Sequence, residues 1–307
     1  MATSSARASP NLHLSHNTQQ RQPPPHSAVE RVITLLKLGG SLITEKTQAN
    51  TPREALLQAI ASAISEAWNT QPLPLIIGHG SGSFGHAAAQ RYGTRAGVHT
   101  PEQWRGFAEV SVIAAQLNRL VMDALHKAGL PVIAFPPSAS ARCHDGRLVS
   151  LALEPIQAAL AHGLIPVVMG DVAFDTVRGG TIVSTEEVFA YLVEHLPVAR
   201  VLLAGETEGV YRAPDQPEVL SIITPADWSA VRQGIGHARG ADVTGGMAAK
   251  VHAMLNLVQA HPTVTVRIFG GRNAPTIARA LRGEPVGTLI AATDDARLTP
   301  PAGPLYA

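Results

Sequence analysis

Past residue 31, short β-branched or leucine-rich runs alternate with alanine-rich amphipathic stretches. That alternation predicts an α/β body in which helices cover a mostly parallel sheet. Strands are expected at 32–38, 73–77, 132–135, 165–169, 201–204 and 264–269, each almost continuously apolar, as strands buried on both faces should be. Helices are expected at 52–68, 101–128, 186–195 and 246–260, with proline near the start of the first two, where its missing N–H costs nothing. One hairpin interrupts the order, with 172–177 and 181–184 flanking a turn at Arg178-Gly179-Gly180. No repeat of solenoid period occurs.

Composition narrows the partners. Hydrophobic residues are 45% of the chain and charged residues 15%, which suits a large core and excludes a wholly disordered chain. At 307 residues, one compact body with two lobes is expected. The 24 Lys+Arg against 23 Asp+Glu leave a formal charge of +1, so no broad basic field exists for nucleic acid or an anionic membrane. Any anion must then be held by local geometry. No apolar run approaches the roughly 18 residues that a membrane span needs, so a soluble protein is expected. The single cysteine, Cys143, excludes an internal disulfide framework and a thiolate metal cluster, and fits a reducing cytoplasm. Residues 1–28 carry no acidic residue and no apolar signal core, and read as a disordered tail. Their Ser and Arg content leaves an organellar transit peptide open, while His13, His16 and His26 are too scattered for a metal site. Residues 296–307 read as a C-terminal tail.

The glycines fall directly after strands, where open α/β sheets place their ligand crevice. Lys37-Leu38-Gly39-Gly40-Ser41 follows the first strand, the run from Gly78 to His86 the second, and Gly170-Asp171 the fourth; Gly245-Gly246 opens the late helix that carries Lys250. Glycine loops at strand ends let backbone N–H groups approach an oxyanion, so four of them with lysines nearby point to anion binding. Lys37 ends an apolar strand, where an ammonium needs an anion or carboxylate opposite it. Asp171 could orient Lys37 and Lys250, and Lys46 lies nine residues past Lys37. His86, at a helix start, could grip the same anion as the loop amides. Gly80-x-Gly82-x-x-Gly85 also fits the dinucleotide fingerprint, yet no acidic residue closes a strand about 20 residues on, and no Walker Lys-Ser/Thr pair follows.

Taken in order, Lys37-x-Gly39-Gly40-Ser41, Ser83-Phe84-Gly85-His86, Gly170-Asp171, Glu208-Gly209-Val210-Tyr211 and Asp242-Val243-Thr244-Gly245-Gly246-Met247 through Lys250 resemble the isopentenyl phosphate kinases, a branch of the amino acid kinase superfamily. The likeness runs from about Val32 to Ala291. It implies a three-layer αβα sandwich over 29–295, with an acceptor-binding lobe at 29–196 and a nucleotide-binding lobe at 197–295. It further implies that Lys37, Gly39, Gly40 and Ser41 hold the ATP phosphates, that Lys46 stabilises the transition state and that Asp171 organises the lysines. Ser81, Gly82, His86 and Gly170 would take the acceptor phosphate, Gly82 also bordering the nucleotide. Glu206, Gly209, Tyr211, Gly246 and Lys250 would flank the nucleotide. Two departures stand out: Ser81 where the family usually has Gly, and Glu206 and Glu208 where it usually has Asp.

The residues offer cations and amides without an evident general base, which suits a phosphate acceptor that is already anionic. Isopentenyl phosphate would need an apolar slot, expected from 101–128 through Phe107, Val110 and Ile113. Mg²⁺ is implied by ATP chemistry and not by a visible ligand cluster; a homodimer is implied by the resemblance. The alternatives are a fosfomycin-type kinase of the same fold, a dinucleotide-dependent oxidoreductase using Gly80–Gly85, and a nucleotide sensor without catalysis.

Overall fold

The computed structural model describes residues 32–213, 216–235 and 246–294; the two expected tails and residues 242–245 of the last motif lie outside them. The strands are β1 (Ile33–Leu38), β2 (Leu75–His79), β3 (Val132–Ala134), β4 (Arg142–His144), β5 (Arg147–Ser150), β6 (Ile165–Met169), β7 (Asp171–Asp175), β8 (Gly179–Val183), β9 (Val198–Gly205), β10 (Tyr211–Ala213), β11 (Gln216–Val219), β12 (Ile222–Ile223), β13 (Thr265–Gly270) and β14 (Thr288–Ile290). The helices are α1 (Gly40–Ile43), α2 (Glu54–Thr70), α3 (His86–Tyr92), α4 (Pro101–Lys127), α5 (Glu154–Ala161), α6 (Thr185–His195), α7 (Trp228–Ile235), α8 (Gly246–Ala260) and α9 (Pro275–Leu281).

Among the described residues, eight strands form one sheet in the order β12-β14-β13-β9-β1-β2-β6-β3, parallel except where β14 runs against β13. Alternation along the central strands sorts their side chains onto two faces. Ile33 and Leu35 of β1 pack with Val188, Phe189 and Leu192 of α6 and Val251 of α8. Leu36 and Leu38 pack with Leu57 and Ile60 of α2, Leu117 of α4 and Ile277 of α9. Helices thus cover both faces of a mostly parallel sheet, the expected three-layer sandwich. None of the described helices is long and apolar enough to cross a membrane.

The apolar runs locate the central strands, and local chemistry corrects their ends. Pro74 has no N–H for the ladder, so β2 starts at Leu75 and runs on to His79. Arg200 concealed the first half of β9; its guanidinium satisfies itself on Thr34 Oγ1 and the Leu281 carbonyl, which lets a charged residue sit in a central strand. The hairpin turn is 176–178 rather than Arg178-Gly179-Gly180, because the Asp175 carboxylate accepts the Val177 and Arg178 N–H groups at 2.8 Å each. Gly179 and Gly180 are strand residues. A second hairpin, β4–β5 about Asp145-Gly146, joins β7–β8 in a four-stranded sheet, and Asp175 also accepts the Gly146 N–H at 2.6 Å.

Two capped helices frame the crevice. Thr100 and Gln103 form a capping box that opens α4 at Pro101, and Ser184 with Glu187 does the same for α6. The second box fixes Glu186 in the first turn of α6, beside the ends of β1 and β2.

Candidate active site

The loops after β1 and β2 interlock backbone to backbone. A Cβ on Gly40 would overlap the Gly82 nitrogen and lie 2.6 Å from Gly82 Cα, while Gly82 itself adopts φ +54°. Only glycine serves at both positions. Thr44 ties the loops together, donating its hydroxyl to the Gly40 carbonyl at 2.8 Å and accepting the Ser83 N–H at 2.9 Å. Gly39 N–H donates to Ala204 of β9 and Gly80 N–H to Leu38 of β1, each anchoring a loop to the sheet. The N–H groups of Gly40, Ser41, Ser81 and Gly82 meet no acceptor among the described residues. They leave a set of fixed donors at the C-terminal ends of the central strands β1 and β2.

Lys37 stands below these donors, 8% exposed, with its Nζ 3.0 Å from Glu186 Oε1. Burial pushes the Glu186 carboxyl up, but the Lys37 ammonium, a hydrogen bond from its own backbone N–H and the charge of Lys250 together hold the group below its ordinary value of 4.5. The carboxylate that faces Lys37 in the fold is therefore Glu186. Asp171 is not ion-paired to Lys37: its Oδ2 accepts the Ser138 N–H at 3.1 Å and its Oδ1 its neighbour Val172's N–H at 2.8 Å. Burial raises the Asp171 carboxyl above 3.8 against the pull of those bonds and of Ser111. The Asp171 carboxylate thus turns to the adjoining loop in this structure.

Asp171 helps line a small cavity of about 70 Å³ with Ser81, Gly170, Phe84, Val110 and Ile182. Its polar end is thus formed at the glycine loops and its walls are apolar. Of the three residues expected to line a slot, Val110 does so; Phe107 lies behind it in a cluster with Val98 and Val172, against which Ile113 packs.

Lys46 takes a different place. Its Nζ lies 3.4 Å from Glu206 Oε2, with the side chain 64% exposed. Glu206, just beyond β9, also accepts from Arg53 at 2.7 Å and Arg272 at 2.8 Å. Burial pushes its carboxyl up, yet Arg53, Lys46 and Arg272 together keep it below 4.5. Gly209 packs tightly against Val219 and Thr288, and Tyr211 begins β10. Gly246 opens α8 at φ +65°. His86 begins α3 after Gly85; its side chain lies outside the described set.

The sequence profile of the amino acid kinase family matches residues 32–270. The chain belongs to this family. Within it, the isopentenyl phosphate kinase of Methanothermobacter thermautotrophicus is 35% identical over 271 residues, spanning 84% of this chain and 98% of that protein. The isopentenyl phosphate kinase of Haloferax volcanii is 35% identical over 262 residues, with the same two coverages. A crystal structure of an isopentenyl phosphate kinase superposes with a TM-score of 0.71 at 32% identity, over 84% of this chain and all of that one.

Within this family fold, motif reading missed Glu186, which was placed only as a helix start. Two signals could have found it: a buried strand-end lysine must have a carboxylate partner, and the Ser184-x-x-Glu187 box fixes where α6 begins. Arg53 was missed because it belongs to no glycine motif, and Arg272 was passed over although it follows Gly270-Gly271 at the end of β13. Their common partner, Glu206, brings them together from distant positions.

Proposed function

We propose that the chain transfers the γ-phosphoryl group of ATP to isopentenyl phosphate, giving isopentenyl diphosphate and ADP. One observation carries the reading: unengaged loop amides stand beside the Lys37–Glu186 ion pair, and one of those loops, through Ser81, borders a small cavity with apolar walls. The first part suits a polyphosphate and the second a short hydrocarbon tail.

In this reading an acceptor phosphate oxygen attacks the γ-phosphorus. The new P–O bond forms as the bond to the β,γ-bridging oxygen breaks, and that oxygen leaves on ADP. The acceptor is already anionic, so no residue has to remove a proton. Lys37, Gly39, Gly40, Ser41 and Lys250 hold the nucleotide phosphates, with Lys37 oriented by Glu186. Ser81, Gly82, His86 and Gly170 receive the acceptor phosphate, and Asp171 shapes the wall beside it. Glu206, Gly209, Tyr211 and Gly246 border the nucleotide. Lys46 leaves Glu206 to meet charge as it develops in the transition state. The acceptor side falls to residues 29–196 and the nucleotide side to 197–295.

Among the described residues no three His, Cys, Asp or Glu side chains converge as a metal cage. Mg²⁺ would arrive on the ATP phosphates, its usual manner of binding, and supply positive charge there. Homodimeric assembly follows from the family resemblance, and a cytoplasmic setting from the single cysteine.

The test is ADP release with Mg-ATP and, separately, isopentenyl phosphate, dimethylallyl phosphate, geranyl phosphate and fosfomycin. The expected result is the highest kcat/KM with isopentenyl phosphate. Preference for fosfomycin would move the assignment to a phosphonate acceptor, and ADP release with none of them would end it.

A further inference from the structure

His79 closes β2 directly before the second glycine loop and is 2% exposed. Its Nε2 lies 3.0 Å from Asn118 Nδ2 of α4, and its Nδ1 lies 3.3 Å from the Gly80 carbonyl oxygen. An amide nitrogen only donates and a carbonyl oxygen only accepts, so Nε2 carries the lone pair and Nδ1 the proton. Both contacts select the same tautomer. Burial, aided by Lys37 and opposed by the Gly80 bond, lowers the imidazole from 6.5 to about 4, so the ring is neutral at physiological pH.

The Gly80 carbonyl is thus turned towards the His79 ring. Across a planar trans peptide the N–H of the next residue points the opposite way. That donor is the Ser81 N–H, which meets no acceptor among the described residues, and Ser81 borders the small cavity. We propose that His79, in the tautomer dictated by Asn118, is a positioning residue that pins the Gly80 carbonyl and so aims the Ser81 N–H at the anion in the crevice. The identity of that anion as the acceptor phosphate rests on the kinase reading. Asn118 stands four residues beyond Ala114 and eight beyond Val110 on α4, both lining the cavity. One helix face therefore carries both the cavity wall and the clamp on the phosphate loop.

The experiment compares wild type with His79→Leu, His79→Asn and Asn118→Asp. His79→Leu removes the donor, and the acceptor KM rises about tenfold with ATP KM little changed. His79→Asn offers an amide N–H near the Nδ1 position and stays within about threefold of wild type. Asn118→Asp draws the proton to Nε2, so a neutral ring presents a lone pair to Gly80 and only the imidazolium restores the bond. Turnover of that variant then falls as pH rises through an imidazole pKa raised by the carboxylate, a limb wild type lacks. Lys37 of β1 is the charged group acting on the ring; Asn118 of α4 and Thr185 of α6, which hydrogen-bonds the His79 carbonyl, do not titrate.

Two readouts do not depend on turnover. Imidazole ¹⁵N shifts of wild type are expected to show Nδ1 protonated, and the Ser81 amide resonance to move on adding inorganic phosphate, but not in His79→Leu. If His79→Leu does not fold, His79→Asn and Asn118→Asp carry the test. An Nε2–H tautomer in wild type, equal losses in Leu and Asn, or a wild-type pH profile in Asn118→Asp would each overturn the proposal. A folded wild type that phosphorylates nothing but shows the expected shifts would instead sink the kinase reading alone.

Discussion

Lys37 and Lys46 stand nine residues apart, on either side of one glycine turn, and the fold treats them in opposite ways. Lys37 is in the central strand, its ammonium 3.0 Å from Glu186 and nearly out of solvent. Lys46 is on the rim, mostly exposed, one of three cations sharing Glu206. A buried ammonium has a fixed position and a strong field, whereas an exposed ion pair is worth only about 0–1 kcal/mol and is readily exchanged for a better anion. Lys37 is therefore a preset part of the site, and Lys46 a part that a phosphate can recruit.

Removing Lys37 should produce the largest loss. Lys37→Met is expected to lower kcat about 10³-fold, at the upper end for one electrostatic contact, read by steady-state ADP release. A loss of tenfold or less would place Lys37 outside the chemistry. The neutral neighbour of Lys37 gives the next effect. Because the folded-state pKa of His79 is depressed to about 4, its stabilisation is complete above 6.5 and drains away as pH falls towards 4, about 3 kcal/mol in all. Glu186, also depressed, loses its contribution only below 4.5, and Asp171, raised, works in the opposite direction. Urea unfolding between pH 7 and 4.5 should therefore flatten in His79→Asn relative to wild type; parallel curves would contradict it.

Gly40→Ala tests the turn between the two lysines. The added carbon must push the Gly82 backbone aside, and a displacement near 1 Å should cost about 10²-fold in kcat/KM. Lys46→Ala should have the smallest effect, about tenfold in kcat, with a thermal midpoint unchanged within the small worth of an exposed pair. A marked drop in that midpoint would show the Glu206 cluster to be structural, and the contrast between the lysines would weaken.

Much of this was legible in the letters. Runs buried on both faces gave the central strands, since a parallel sheet under helices leaves little room for polar positions. Glycines after strands located the crevice. What the letters hid depended on partners distant in sequence: Arg200 inside β9, the carboxylate facing Lys37, and the three cations on Glu206. The Asp145-Gly146 turn was visible as a dipeptide, with both residues at positive φ, yet the hairpin it closes has strands of only three and four residues. The place of Asp171 after β6 predicts proximity to the crevice but not that its carboxylate bonds the Ser138 and Val172 N–H groups. Residues 242–245 and the His86 side chain lie outside the described set.

The most direct measurement is a ³¹P spectrum of the protein incubated with Mg-ATP and isopentenyl phosphate. The account predicts that the monoester resonance disappears as two coupled diphosphate resonances grow in step with ADP. An unchanged monoester, with ATP intact or broken down only to inorganic phosphate, would contradict it.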